Sequence, residues 1–137
     1  MKKIAMATTI TLIGFTALPA VAQARASLGE VAAIRNGLLA VGIADEIRKV
    51  CDDIDGRMIT AFTYLTQLKG QARDMGYSDE EIDDYVTSKT EKKKYRAEGE
   101  AWLVSRGVTL GQQDGYCRVG REEIEKGTQI GVLLRAK

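Results

Sequence analysis

RKVCDDID at residues 48–55 and DGYCRVG at residues 114–120 carry the chain's two cysteines, Cys51 and Cys117, 66 positions apart in a sequence without histidine. How these two thiols are used decides how the chain is built. A zinc site needs about four ligands, usually cysteine and histidine, and too few are present. A redox-active pair normally sits close in sequence, as in Cys-x-x-Cys, and this pair does not. In an oxidising compartment an even cysteine count means pairing. The expectation is a structural disulfide, Cys51–Cys117, that pins the end of a first helix to the start of a last one.

The oxidising compartment is expected from the opening residues, MKKIAMATTITLIGFTALPAVAQARA. Lys2 and Lys3 precede an uncharged, largely apolar run from Ile4 to Leu18, Pro19 breaks it, and Ala22-Gln23-Ala24 offers the small-x-small pattern of a signal peptidase site. A permanent membrane helix needs about 20 apolar residues and fits less well. The expected division is a signal peptide at 1–24, cut between Ala24 and Arg25, and a single helical domain at 25–137. Ala24-Arg25-Ala26 offers a second cut two residues on. No cysteine stands near either site, which argues against a lipid anchor.

Removing Lys2 and Lys3 from the 20 basic residues leaves 18 against 19 acidic ones, a net charge of −1 for the mature chain. So balanced a chain gives no electrostatic reason to bind nucleic acid or an anionic membrane. The expected compartment is the periplasm, with no permanent membrane span after signal cleavage.

CDDIDG, from Cys51, places Asp53, Asp55 and Gly56 at positions 3, 5 and 6 of a calcium loop. Position 1 is then cysteine and position 12 is Phe62, where a bidentate glutamate is needed. These aspartates are better read as carboxylates between two helices, with Asp55 as a cap.

Working outward, Ser27 and Glu30 form a capping-box pattern ahead of a helix from about Leu28 to Val50. Ile34, Leu38 and Val41 make one apolar row on it; Leu39, Ile43, Ile47 and Val50 make another. Gly37 and Gly42 mark a kink or a close helix approach. In the next segment Met58, Phe62, Leu65, Leu68, Ala72 and Met75 recur every three or four residues, and are expected in the core; Gly76 stops that helix.

Ser78 and Glu81 form a second capping box. The acids Asp79, Glu80, Glu81, Asp83 and Asp84 load negative charge on a first helical turn, a simpler account than paired catalytic carboxylates. Ser88 opens a polar helix to Ser105 in which Tyr95, Ala101, Trp102 and Leu103 are expected to point inward. Its charges, Lys92 to Arg96 with Glu91, Glu98 and Glu100, largely offset one another. Trp102, the single tryptophan, and Tyr95 are also the candidate binding surface. After Gly107 comes a loop, then a helix capped by Asp114 with Tyr116, Cys117, Val119 and Ile124. Gly127 interrupts it before a last apolar turn of Ile130, Leu133 and Leu134. No segment shows strand alternation. The fold class is therefore all-α: about five helices in a small bundle with one disulfide.

Without histidine, Ser-His-Asp and Cys-His machinery cannot form, and a disulfide removes the thiol nucleophile. No glycine-rich phosphate loop occurs. No catalytic residue, metal ligand or cofactor is assigned.

IRNGLLAVGIADEIRKVC (34–51), GYSDEEIDDYV (76–86), RAEGEAWL (96–103) with RGV (106–108), and YCRVGREEIEKGTQIGVLLRAK (116–137) cover most of the mature chain. In these stretches it resembles a family of small exported bacterial proteins, a domain of unknown function with a signal peptide and both cysteines. The resemblance implies no activity and carries over no functional residue. It also implies genes that lie near those for respiratory NADH–quinone oxidoreductase, and with them an accessory or assembly role in which an exported chain would meet only the outward face.

The leading expectation is a non-enzymatic periplasmic module that binds an envelope protein. A disulfide-held chaperone or toxin-neutralising inhibitor, opened by acid, is one alternative. A carboxylate hydrolase acting on envelope polymers is another.

Overall fold

The computed structural model describes residues 25–137; the signal segment expected at 1–24, with Ala24 at its cut, lies outside the described residues. A 3-10 turn, Leu28–Glu30, opens the fold. The Glu30 carboxylate accepts from the Ser27 backbone N–H at 2.8 Å and from the Ser27 hydroxyl at 3.0 Å. The sequence pattern runs this helix unbroken to Val50, but Val31 is extended, and α1 is Ala32–Val50. The break lets Leu28 pack with Ile34 and Ile82 in a smaller core.

The remaining elements are β1 Ile54–Gly56, α2 Met58–Asp74, α3 Asp79–Thr87, α4 Lys89–Ser105, α5 Gln113–Lys126, α6 Gln129–Val132 and β2 Leu134–Ala136. Ser78 and Glu81 cap α3 reciprocally: the Glu81 N–H donates to the Ser78 hydroxyl at 3.1 Å, and the Ser78 N–H donates to the Glu81 carboxylate at 2.7 Å. The Ser88 hydroxyl accepts from the Glu91 N–H and starts α4. Gly76, at φ +91°, takes the left-handed conformation that ends α2. The expected last apolar turn after Gly127 is α6.

Three local expectations change. The chain is not free of strand: β1 and β2 pair antiparallel, with Ile54 opposite Ala136, Asp55 opposite Arg135 and Gly56 opposite Leu134. Asp55 is thus the centre of a strand and not a cap; Arg57 holds the N-cap position of α2. Its carboxylate lies 3.8 Å from Arg135 and 3.4 Å from Lys137, so the basic tail neutralises it. Asp114 lies inside the first turn of α5, whose N-cap position is Gln112. There its charge still faces the positive end of the helix.

The larger core gathers Ile43 and Ile47 of α1, Ile54, Leu103 of α4, Val119 of α5, and Ile130 and Leu133. Ile47, Leu103 and Val119 are wholly buried, each such side chain contributing roughly 1.5–3 kcal/mol. The disulfide joins Cys51, the C-cap of α1, to Cys117 of α5, with 5.1 Å between the Cα atoms. Both sulfurs lie inside this core. Beside them α1 and α5 nearly touch: a methyl on Gly120 would stand 2.8 Å from Ile47 Cγ2.

The second helix overturns the expected core. Leu68 and Ala72 are buried, but Met58, Phe62, Leu65 and Met75 are exposed. Periodicity gave the helix correctly and its partner wrongly: α1 covers the face with Leu68, and nothing among the described residues covers the other. Ala101 on α4 is likewise exposed, whereas Leu103 is buried and Tyr95 and Trp102 are half-buried.

One buried carboxylate ties three elements. Glu123 of α5 is 3% exposed. It accepts from the Arg106 guanidinium at 3.1 Å and from the Thr128 hydroxyl, which in turn accepts the Gly131 N–H at 3.1 Å and starts α6. Glu123→Ala should therefore cost about 2 kcal/mol, the worth of a hydrogen bond to a charged group. Urea unfolding checks this; an unchanged midpoint would remove the tie from the account of stability.

Candidate functional site

From Met58 to Leu68 the sequence has no charge. A helix with one face packed and no charge on the other leaves bare apolar surface. Ile59 is 84% exposed, Phe62 72%, Met58 61% and Leu65 39%. Single exposed apolar residues are ordinary on protein surfaces, but a contiguous set marks an interaction site.

Met58, Phe62 and Leu65 form one bank of a groove of about 530 Å³, and Ile59 stands beside it, outside the lining. Its floor is α1, with Leu38, Val41 and Gly42; its far bank is α4, with Tyr95, Arg96 and Gly99, and Val86 of α3 closes one side. Gly99 lets α4 lie close on α1: a methyl there would touch Ile43 at 3.4 Å. The Tyr85 and Tyr95 hydroxyls are 2.9 Å apart, and their rings meet edge to face at 6.4 Å between centroids. Burial, then the shared hydrogen bond, pushes the Tyr85 hydroxyl far above the usual phenol range; burial also raises Tyr95. Both stay neutral hydrogen-bonding groups on an apolar wall.

The acids at the rim are already engaged. Asp45 pairs with Arg48 and with Lys49, each at 2.5 Å. Burial alone would raise the Asp45 carboxyl, but Lys49 and Arg48 outweigh it and hold it below the usual range. Glu46 lies 3.7 Å from Lys49, and Glu91 pairs with Lys94 at 2.7 Å. Among the described residues no cluster of histidine, cysteine, aspartate or glutamate is arranged to hold a metal ion, and no helix is long and apolar enough to cross a membrane.

The sequence-derived candidates scatter. Cys51 and Cys117 meet in the disulfide. Tyr95 lines the groove, but Trp102, two turns on, packs against the larger core under the Arg106 guanidinium, 4.9 Å from the ring centroid. Arg25 is far from idle: its guanidinium lies 4.2 Å over the Tyr77 ring, bonds Glu81 at 2.6 Å and donates to the Gly76 carbonyl. Phe62, Met58, Ile59, Lys92 and Arg96 were not singled out as a surface; the charge-free run in α2 is the signal that points to them.

Fold and groove define a class: a small disulfide-pinned helical domain with an open apolar groove. More particularly, the family model described as "Family of unknown function (DUF5333)" matches residues 26–135, and the chain belongs to that family. No curated protein and no solved structure matches it.

Proposed function

We propose that this is an exported, non-enzymatic module that holds an envelope protein in the groove between α1, α2 and α4. The observation that carries the reading is the exposure of Met58, Ile59, Phe62 and Leu65 on one helix. Burying such a stripe against a partner would remove it from water, the main favourable term in protein association. Export is supported by the charged, apolar and small-residue pattern of residues 1–24, and an oxidising compartment suits the Cys51–Cys117 bond. A binding role in place of catalysis is supported by the chemistry of the groove, whose floor is aliphatic and whose rim acids are held in ion pairs. An accessory role at the outward face of a respiratory complex is a finer form of the same reading.

Photocrosslinking in living cells tests it. A photoreactive residue at position 62 should give one discrete adduct in the envelope fraction, and the same residue at exposed Gln112 should not. Adding Met58→Asp, an exposed groove residue, should abolish the adduct while leaving the melting temperature within about 3 °C, because exposed positions contribute little to stability. Equal adducts from both positions would defeat the reading.

A further inference from the structure

We infer that the groove takes an amphipathic helical segment of a partner protein whose flank is acidic. This rests on the groove reading above and adds the chemistry of the occupant.

The charge around the groove is asymmetric once its internal pairs are removed. Six charged side chains line it: Asp45, Glu46, Arg48, Glu91, Lys92 and Arg96. Asp45, Glu46, Arg48 and Glu91 are each within 4.0 Å of an opposite charge. Lys92 and Arg96 form no ion pair among the described residues. They stand four residues apart on α4, on the same face, with Gly99 continuing the row to the groove floor. One bank is therefore apolar and the other carries two cations open to solvent.

The apolar bank has the length of a helix anchor. Met58, Phe62 and Leu65 follow i, i+4, i+7 spacing and cover roughly 10 Å of α2 at about 1.5 Å per residue, with exposed Ile59 on the outer shoulder of that bank. Two turns of a partner helix present i, i+3, i+4 and i+7 side chains over the same distance, the geometry of helix-in-groove recognition. An acyl chain would fill the cleft but leave Ile59, which stands outside its lining, still bare. Carboxylates on the flank of a docked helix would meet Lys92 and Arg96; lysines there would meet uncompensated like charge.

The test uses the oxidised mature protein and two fluorescein-labelled 18-residue model helices. Both carry leucine at i, i+3, i+4 and i+7, one with glutamate and one with lysine along the flank. Anisotropy titration at low salt should show the glutamate helix binding at least about ten-fold tighter, with the gap narrowing in 0.5 M salt as charges are screened. Lys92→Glu with Arg96→Glu should reverse the order, and Phe62→Asp should abolish binding of both helices. Equal affinities, a preference for lysine, or a preference that survives the charge reversal overturn the acidic flank. The groove itself still stands in those cases provided Phe62→Asp removes binding. No binding of either helix, or binding indifferent to Phe62→Asp, overturns both. Tighter binding to phosphatidylglycerol vesicles than to the glutamate helix would transfer the site to lipid. A dimer by light scattering that Phe62→Asp dissolves would transfer it to a second copy of the chain. Either result overturns the proposal.

Discussion

Replacing both cysteines, Cys51→Ala with Cys117→Ala, should lower the melting temperature by roughly 15–25 °C. The bond closes a span of 66 residues. Chain-entropy arguments give a loop of that length about 4 kcal/mol, by restricting the unfolded chain. In a domain of this size each kcal/mol shifts the midpoint by several degrees. Both sulfurs are buried in the larger core, so the alanines also leave a void and add to the loss. Thermal melts with and without reductant separate the parts. Reductant should bring the wild type most of the way to the double variant and leave the variant unmoved. A double variant within about 5 °C of wild type would remove the cross-link from the account of stability.

Gly131→Ala should be comparably severe although it adds a single methyl. The new carbon would collide with the carbonyl group of Glu123 and come within 2.7 Å of the Ile124 nitrogen. These are backbone atoms of α5, so no rotamer change relieves the clash. The short α6 would have to lift away, taking Ile130 and Leu133 out of the core and breaking the Thr128 cap. Overpacking of this kind costs about 3 kcal/mol or more. Gly70→Ala is the matched control. A methyl there meets nothing within 4 Å in the middle of α2, and the change should stabilise by about 0.5–1 kcal/mol. Paired urea titrations read both signs. A Gly131→Ala protein as stable as wild type would mean that α6 does not seat against α5 as described.

Local signals in the sequence carried much of this fold. Ser78 and Glu81 announce α3 because a capping box is complete within four residues. Ser88 and Gly76 likewise fix helix ends from chemistry that needs no distant partner. The cysteine pair was legible because too few ligands stand beside it for zinc, its spacing does not suit a redox pair, and the opening residues imply an oxidising compartment. The sheet was not legible: three-residue strands are too short to show alternation, and the pairing of Ile54 with Ala136 joins distant parts of the chain. The apolar spacing of α2 was legible as a helical period, but a period states that one face is apolar and not what meets it. Leu68 and Phe62 belong to the same pattern, yet one lies under α1 and the other faces solvent. The groove draws its walls from α1, α2 and α4, so no single stretch could have shown it. Lys92 and Arg96 looked offset by nearby glutamates in sequence; in space Glu91 turns to Lys94 and Glu98 to Arg35.

The position of Trp102 gives the molecule an optical reporter of its core that stands apart from the groove. The chain's single indole sits against the larger core at the end of α4, while Tyr85 and Tyr95 lie on the groove wall. Tryptophan emission should therefore follow unfolding and stay quiet when the groove fills, whereas tyrosine absorbance answers to both, because Tyr77 and Tyr116 are buried in the cores.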